Sequence, residues 1–210
     1  MVSSVVIRIG GLLAMAGSLA STTLGLLYVL QAWGITLDFT AKGLLKGGYE
    51  GPVGNMLLVG VMAAVAALHF IQRRRYGRLG LLASASAIGG IAMVVIGFLV
   101  SGSPSDTVFY VGIGMLIVGV VVGSTGVVLL GIATITARVL PRWCGIALIA
   151  GSPPGVGILF LAVSPLGMAR ILPGEIGWAL AGIPWIVVGY ATFRAATQHT
   201  QQPSRVQVEE

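Results

Sequence analysis

The chain has 210 residues, 56% of them hydrophobic and 9% charged, with a mean hydropathy of +0.99. That balance excludes an ordinary water-soluble domain. In so apolar a chain the net charge of +6 is first a topology signal rather than a nucleic-acid footprint, and the single cysteine, Cys144, excludes intrachain disulfides, CxxC redox chemistry and cysteine-rich metal sites.

Six apolar stretches, at about 9–30, 53–72, 79–100, 108–132, 143–163 and 176–193, reach or approach the ~20 residues that a helix needs to cross the ~30 Å hydrocarbon layer. They predict an all-α, polytopic membrane helix bundle of six transmembrane helices over residues 1–198, followed by a polar cytoplasmic tail at 199–210. The first stretch begins like a signal peptide, with Arg8, an apolar core and Ser18-Leu19-Ala20. Its apolar run continues to Leu30, however, past a signal's usual ~7 to 15 residues, which reads as a retained span. Gly17, Ser21 and Gly25 recur there every fourth residue and form a flat ridge for close helix contact.

In the outer loop at 32–51, Leu37, Ala41, Leu44 and Leu45 share one helical face while Asp38, Lys42 and Lys46 occupy another, which predicts a short interfacial helix ended by Gly47-Gly48. Trp33 reads as an interface anchor. Helices two and three are joined by an arginine-rich link, and Gly119, Gly123 and Gly131 line helix four. Helix five is interrupted by Ser152-Pro153-Pro154-Gly155, and Pro141 turns tightly between helices four and five.

Nine of the twelve basic residues, Arg8, Arg73, Arg74, Arg75, Arg78, Arg138, Arg142, Arg194 and Arg205, fall on one side, and Lys42, Lys46 and Arg170 on the other. By the positive-inside rule both termini are cytoplasmic. Arg73, Arg74, Arg75, Arg78, Arg138 and Arg142 then form a basic rim for anionic lipid headgroups.

Chemistry has few places to live in this chain. Antiparallel packing of helices four and five brings Ser124 and Thr125 to the depth of Ser152, so Ser124, Thr125, Ser152, Pro153 and Pro154 make a candidate polar pocket near the midplane. Pro153 and Pro154 have no N–H for the carbonyls of Ile149 and Ala150, which face a cavity or are satisfied by Ser152 across a plain kink. Gly123-Ser124-Thr125-Gly126 has some likeness to a rhomboid serine motif, but no histidine lies within a helix to act as base, since His69 is at a helix end and His199 in the tail. The same positions exclude bis-histidine haem. Cys144 is placed for packing or for reversible acylation beside the Arg142-Trp143 anchor.

Three helices open alike, at Arg8-Ile9-Gly10-Gly11, Arg78-Leu79-Gly80 and Arg142-Trp143-Cys144-Gly145, an echo consistent with three two-helix repeats. At Thr136-Ala137-Arg138-Val139-Leu140-Pro141-Arg142-Trp143-Cys144-Gly145 the chain resembles a loose set of small uncharacterised membrane proteins of high-GC, actinobacterial-type bacteria with a Leu-Pro-Arg-Trp-Ala-Gly turn. Gly77-Arg78-Leu79-Gly80 and Ile183-Pro184-Trp185-Ile186-Val187-Val188-Gly189-Tyr190 are similar too. Cys144 departs from that pattern's alanine. The resemblance implies topology and a multi-pass place in the cell membrane, but no activity.

The first expectation is a non-enzymatic accessory, scaffold or partner-binding membrane subunit without cofactor, metal or nucleic acid, in contact with anionic lipid and with a protein partner or a second copy. The alternative is a small passive channel or transporter for a neutral or hydrophobic solute, since no ionisable group lies mid-span to couple protons or voltage. A lipid enzyme ranks third, with acid-base groups drawn from Asp38, Glu50, Asp106 or Glu175.

Overall fold

A computed structural model describes residues 4–32, 52–155 and 173–201. These fold entirely as helix and turn: α1 (Ser4–Ala32), α2 (Pro52–Gln72), α3 (Gly77–Ser101), α4 (Asp106–Ala137), α5 (Arg142–Ala150) and α6 (Pro173–Gln201). The predicted interfacial helix, the second half of the predicted fifth span and most of the tail lie outside the described residues. Three helical segments, Ser4–Leu27, Gly77–Ser101 and Asp106–Ala137, are long and apolar enough to cross a membrane, and Leu57–Gln72 is a shorter apolar helix.

Several helices outrun their apolar stretches. α1 starts at Ser4 instead of residue 9, and α6 runs to Gln201 instead of 193. Hydropathy marks where lipid contact ends, whereas a helix continues for as long as its backbone bonds do. α4, at 32 residues, is about 48 Å long and exceeds the ~30 Å layer. It ends at Arg138, which takes a left-handed conformation (φ 53°) before Pro141 blocks further helix.

α3 and α4 form the most extensive pair, followed by α1 with α6 and α1 with α2. α5 bridges α4 and α6, while α2 also touches α3 and α6. The core runs through the middle of this arrangement, with Val65 and Leu68 of α2, Ala87 of α3, Leu130 of α4, Leu148 of α5 and Val188 of α6 all buried. Outward surfaces are apolar: Leu19, Leu82, Leu99, Ile117 and Val121 are exposed.

Small residues set the approach distances, because in lipid there is no hydrophobic drive between helices and close van der Waals contact must join them. A methyl group added at Gly119 would lie 2.7 Å from the Gly90 carbonyl oxygen, and one at Gly90 would overlap the Gly123 backbone. The predicted ridge of α4 is therefore real at Gly119 and Gly123, but Gly131 serves another neighbour, facing Gly145 and Ile149 of α5. On α1 the paired glycines divide their work. Gly10 packs on Ala63 and Ala67 of α2, and Gly11 on Gly189 and Phe193 of α6.

Candidate functional site

α5 ends after nine residues. The Gly151 N–H still bonds to the Ala147 carbonyl (2.8 Å), but the next N–H, from Ser152, reaches only three residues back, to Ile149 (3.2 Å). Pro153 and Pro154 then offer no donor, and the helical ladder is interrupted as the proline pair predicts. The fully buried Ser152 side chain closes the gap: its hydroxyl donates to the Ile149 carbonyl (2.5 Å) and accepts the Gly155 N–H (3.3 Å). Gly155 is required here, since a side chain would overlap the Ile149 carbonyl.

The surroundings of this break differ from the sequence expectation. Ser124 is buried, and its hydroxyl donates to the Val120 carbonyl of its own helix. Thr125 is exposed, with its hydroxyl on Val121 (2.8 Å), so it faces away from any interior pocket. Consecutive residues of a helix point about 100° apart, and here Ser124 is turned inward and Thr125 outward. Pro153 and Pro154 are exposed.

What meets the break is α6. A methyl at Gly151 would lie 3.0 Å from Pro184 Cβ and 3.1 Å from Trp185 Nε1, and the buried indole donates a hydrogen bond to the Gly151 carbonyl (3.2 Å). Pro184 itself stands inside α6 and withholds a backbone donor from the preceding turn. The break in α5 therefore meets α6 at its internal proline, where α6 itself runs on as one helix. Beside them α1 presents the buried hydroxyl residues Ser18, Ser21 and Thr22, with Thr22 and Ser18 against Gly182 of α6. Sequence reasoning missed Pro184 and Trp185 as part of this site, although a proline within an apolar run is a visible signal.

The arginines gather at one end of the bundle. Arg73, Arg74 and Arg75 form the α2–α3 turn and Arg78 lies in the first turn of α3; these, Arg138 and Arg142 are all exposed. The seam pairs Gly90 with Gly123 and Ala87 with Gly126 in antiparallel register, which carries Arg138 to the level of that turn. The carboxylate of Asp106 begins α4 at the opposite end.

A polar cluster that sequence reasoning did not assemble sits just inside this rim. Tyr76 folds back over Gly80, where a side chain would collide with its ring. The Tyr76 hydroxyl is hydrogen-bonded to His69 Nδ1 and lies 3.3 Å from Ser84 Oγ and 3.4 Å from the His69 carbonyl. Burial holds the phenol above its ordinary value of 10.0, against a smaller opposite pull from the Ser84 hydrogen bond. His69 packs edge-on to Phe70 and Tyr76, and the Arg73 guanidinium lies 5.8 Å from the Phe70 ring centroid. Cys144 is a buried free thiol packed in the core.

Chemically, these hydroxyls are committed. Ser124, Thr125, Ser152 and Thr192 each donate to a carbonyl of the preceding turn, which leaves no serine or threonine of that set with a base. Among the described residues no three His, Cys, Asp or Glu side chains group as metal ligands would. No protein-family model, curated protein or solved structure matches the chain.

Proposed function

We propose that the chain is a six-span integral membrane protein with both ends cytoplasmic, acting as a non-catalytic accessory or partner-binding subunit of the cell membrane. One observation supports this reading above the others: the buried hydroxyls of Ser124, Ser152 and Thr192 are spent on their own helices' carbonyls while the seams close to backbone contact. What remains for recognition is outside, an apolar flank and a rim of six arginines that suits anionic headgroups.

The topology is tested with cysteines introduced at Ser105 and at Thr200 in a Cys144→Ser background. An impermeant thiol reagent labels the first from outside and the second from the cytoplasm. Labelling of both from one side overturns the six-span arrangement. Purification in mild detergent then identifies the partner as a copurifying protein, a second copy, or lipid alone.

The break in α5, met by Trp185 of α6, favours a second reading, a passive channel or carrier for a neutral solute, because irregular backbone at membrane depth commonly lines transport sites. Solute flux in reconstituted vesicles that Ser152→Leu abolishes would move the conclusion to that reading.

A further inference from the structure

At the arginine-bearing end two fully buried polar side chains stand without a hydrogen-bond partner. Gln72 closes α2; it is 0% exposed, and neither its amide nitrogen nor its amide oxygen is bonded. Thr134, on α4, is also 0% exposed, and its hydroxyl is unbonded as well. The register of the α3–α4 seam puts Thr134 level with the first turn of α3. Gln72 lies at the same end, since its own carbonyl accepts the N–H of Arg75 (2.7 Å) and Tyr76 (3.2 Å) in the turn that leads into α3.

Neither polar residue is demanded by packing. One helical turn earlier on the same faces, Leu68 and Leu130 are buried aliphatics in the core. Polar groups placed in such a setting lose their hydration and need an exchange partner. The chemistry of that partner follows from the inventory. The Gln72 amide offers two donors and one acceptor oxygen, and the Thr134 hydroxyl can both give and take. An anion would leave the Gln72 oxygen unpaired, and a cation would leave its nitrogen unpaired. A neutral molecule that is donor and acceptor at once serves both.

We propose that Gln72 and Thr134 are ligands in one buried site for a small neutral molecule that donates and accepts hydrogen bonds, entered from the arginine-bearing end. Water is the simplest member of the class, and an amide-like solute is the other source. Entry is short, because the exposed Arg73 directly follows Gln72. The site goes beyond the accessory reading and does not depend on which side of the membrane the arginines face.

The test is thermal unfolding of the full chain in detergent, for Gln72→Leu, Thr134→Val and the double variant. With the site occupied, each single variant lowers the apparent Tm, and the double lowers it by less than the sum, because both lose the same bound molecule. A Gln72→Leu protein that melts higher than wild type, or two losses that simply add, overturns the proposal. Gln72→Met keeps the length and flexibility of the side chain without its hydrogen bonds and also serves if the leucine variant does not fold. A methionine variant as stable as wild type likewise refutes the site. Acetamide then separates the two sources: it raises the Tm of wild type but not of Gln72→Leu if the occupant is an amide-like solute. No response to acetamide, together with the subadditive loss, assigns the site to water.

Discussion

The α3–α4 hairpin and the α5–α6 junction face the same task, holding helices together where apolar side chains gain nothing by leaving lipid for protein, and they meet it in opposite ways. In the hairpin, side chains are removed: Gly90, Gly119, Gly123 and Gly126 let backbones touch, and the neighbouring hydroxyl of Ser124 turns back on its own helix. At the junction α5 is itself interrupted, and specific polar atoms repair the break, Ser152 within α5 and the Trp185 indole of α6 across to Gly151. Adding atoms should therefore damage the first region, and deleting atoms the second.

The largest effect is expected in the hairpin. Gly90→Ala places a methyl into the Gly123 backbone, which cannot yield as a flexible side chain would. Overpacking of this kind costs about 3 kcal/mol or more when backbone must shift. Gly89, its immediate neighbour, has open space around it, and Gly89→Ala should be neutral or stabilise by up to ~1 kcal/mol through helix propensity. Apparent Tm of the two variants in one detergent checks the pair, and equal effects would remove the distinction between seam and surface.

At the junction, Ser152→Ala removes a hydroxyl that both donates to Ile149 and accepts from Gly155. The expected loss is about 1 to 2 kcal/mol, the upper range for hydrogen bonds in membranes. Trp185→Phe deletes only the donor to Gly151 while keeping an aromatic ring, and about 1 kcal/mol should be lost. Both are read by the same melting experiment. A junction that tolerates both deletions would be held by packing alone, like the hairpin.

These two regions also divide what was legible in the sequence. Apolar runs marked the helices because lipid thickness imposes a minimum length, and Pro153-Pro154 marked the break because neither residue can donate. The four-residue spacing of Gly119 and Gly123 marked a seam, since a seam made by small residues is a property of one helix. What it packed against was not written there. The partner of the break is Trp185, 34 residues further on, and the sequence placed Ser124 and Thr125 of α4 beside it instead. Depth is readable from topology, but azimuth is not: Ser124 and Thr125 share a depth and face different ways. The Tyr76 contacts with His69 and Ser84 were hidden for a similar reason, because they depend on the ring folding back over Gly80.

That folded-back tyrosine gives the smallest and most conditional effect. Near neutral pH, Tyr76→Phe loses the contacts to His69 and Ser84 and should cost about 1 kcal/mol. The folded protein holds the phenol proton more tightly than the unfolded chain does, since burial raises its value above 10.0. Above pH 10 the unfolded chain therefore ionises first and binds fewer protons than the folded one, and linkage makes stability fall as pH rises through that range. Phenylalanine carries no proton and escapes this term. The advantage of wild type over Tyr76→Phe should thus shrink as pH passes 10, measured as the difference in apparent Tm between the two proteins at pH 8 and at pH 11. A difference that stays constant across that range would mean that the phenol is as hydrated in the fold as in the unfolded chain, and that the cluster beneath the arginine rim is open to water.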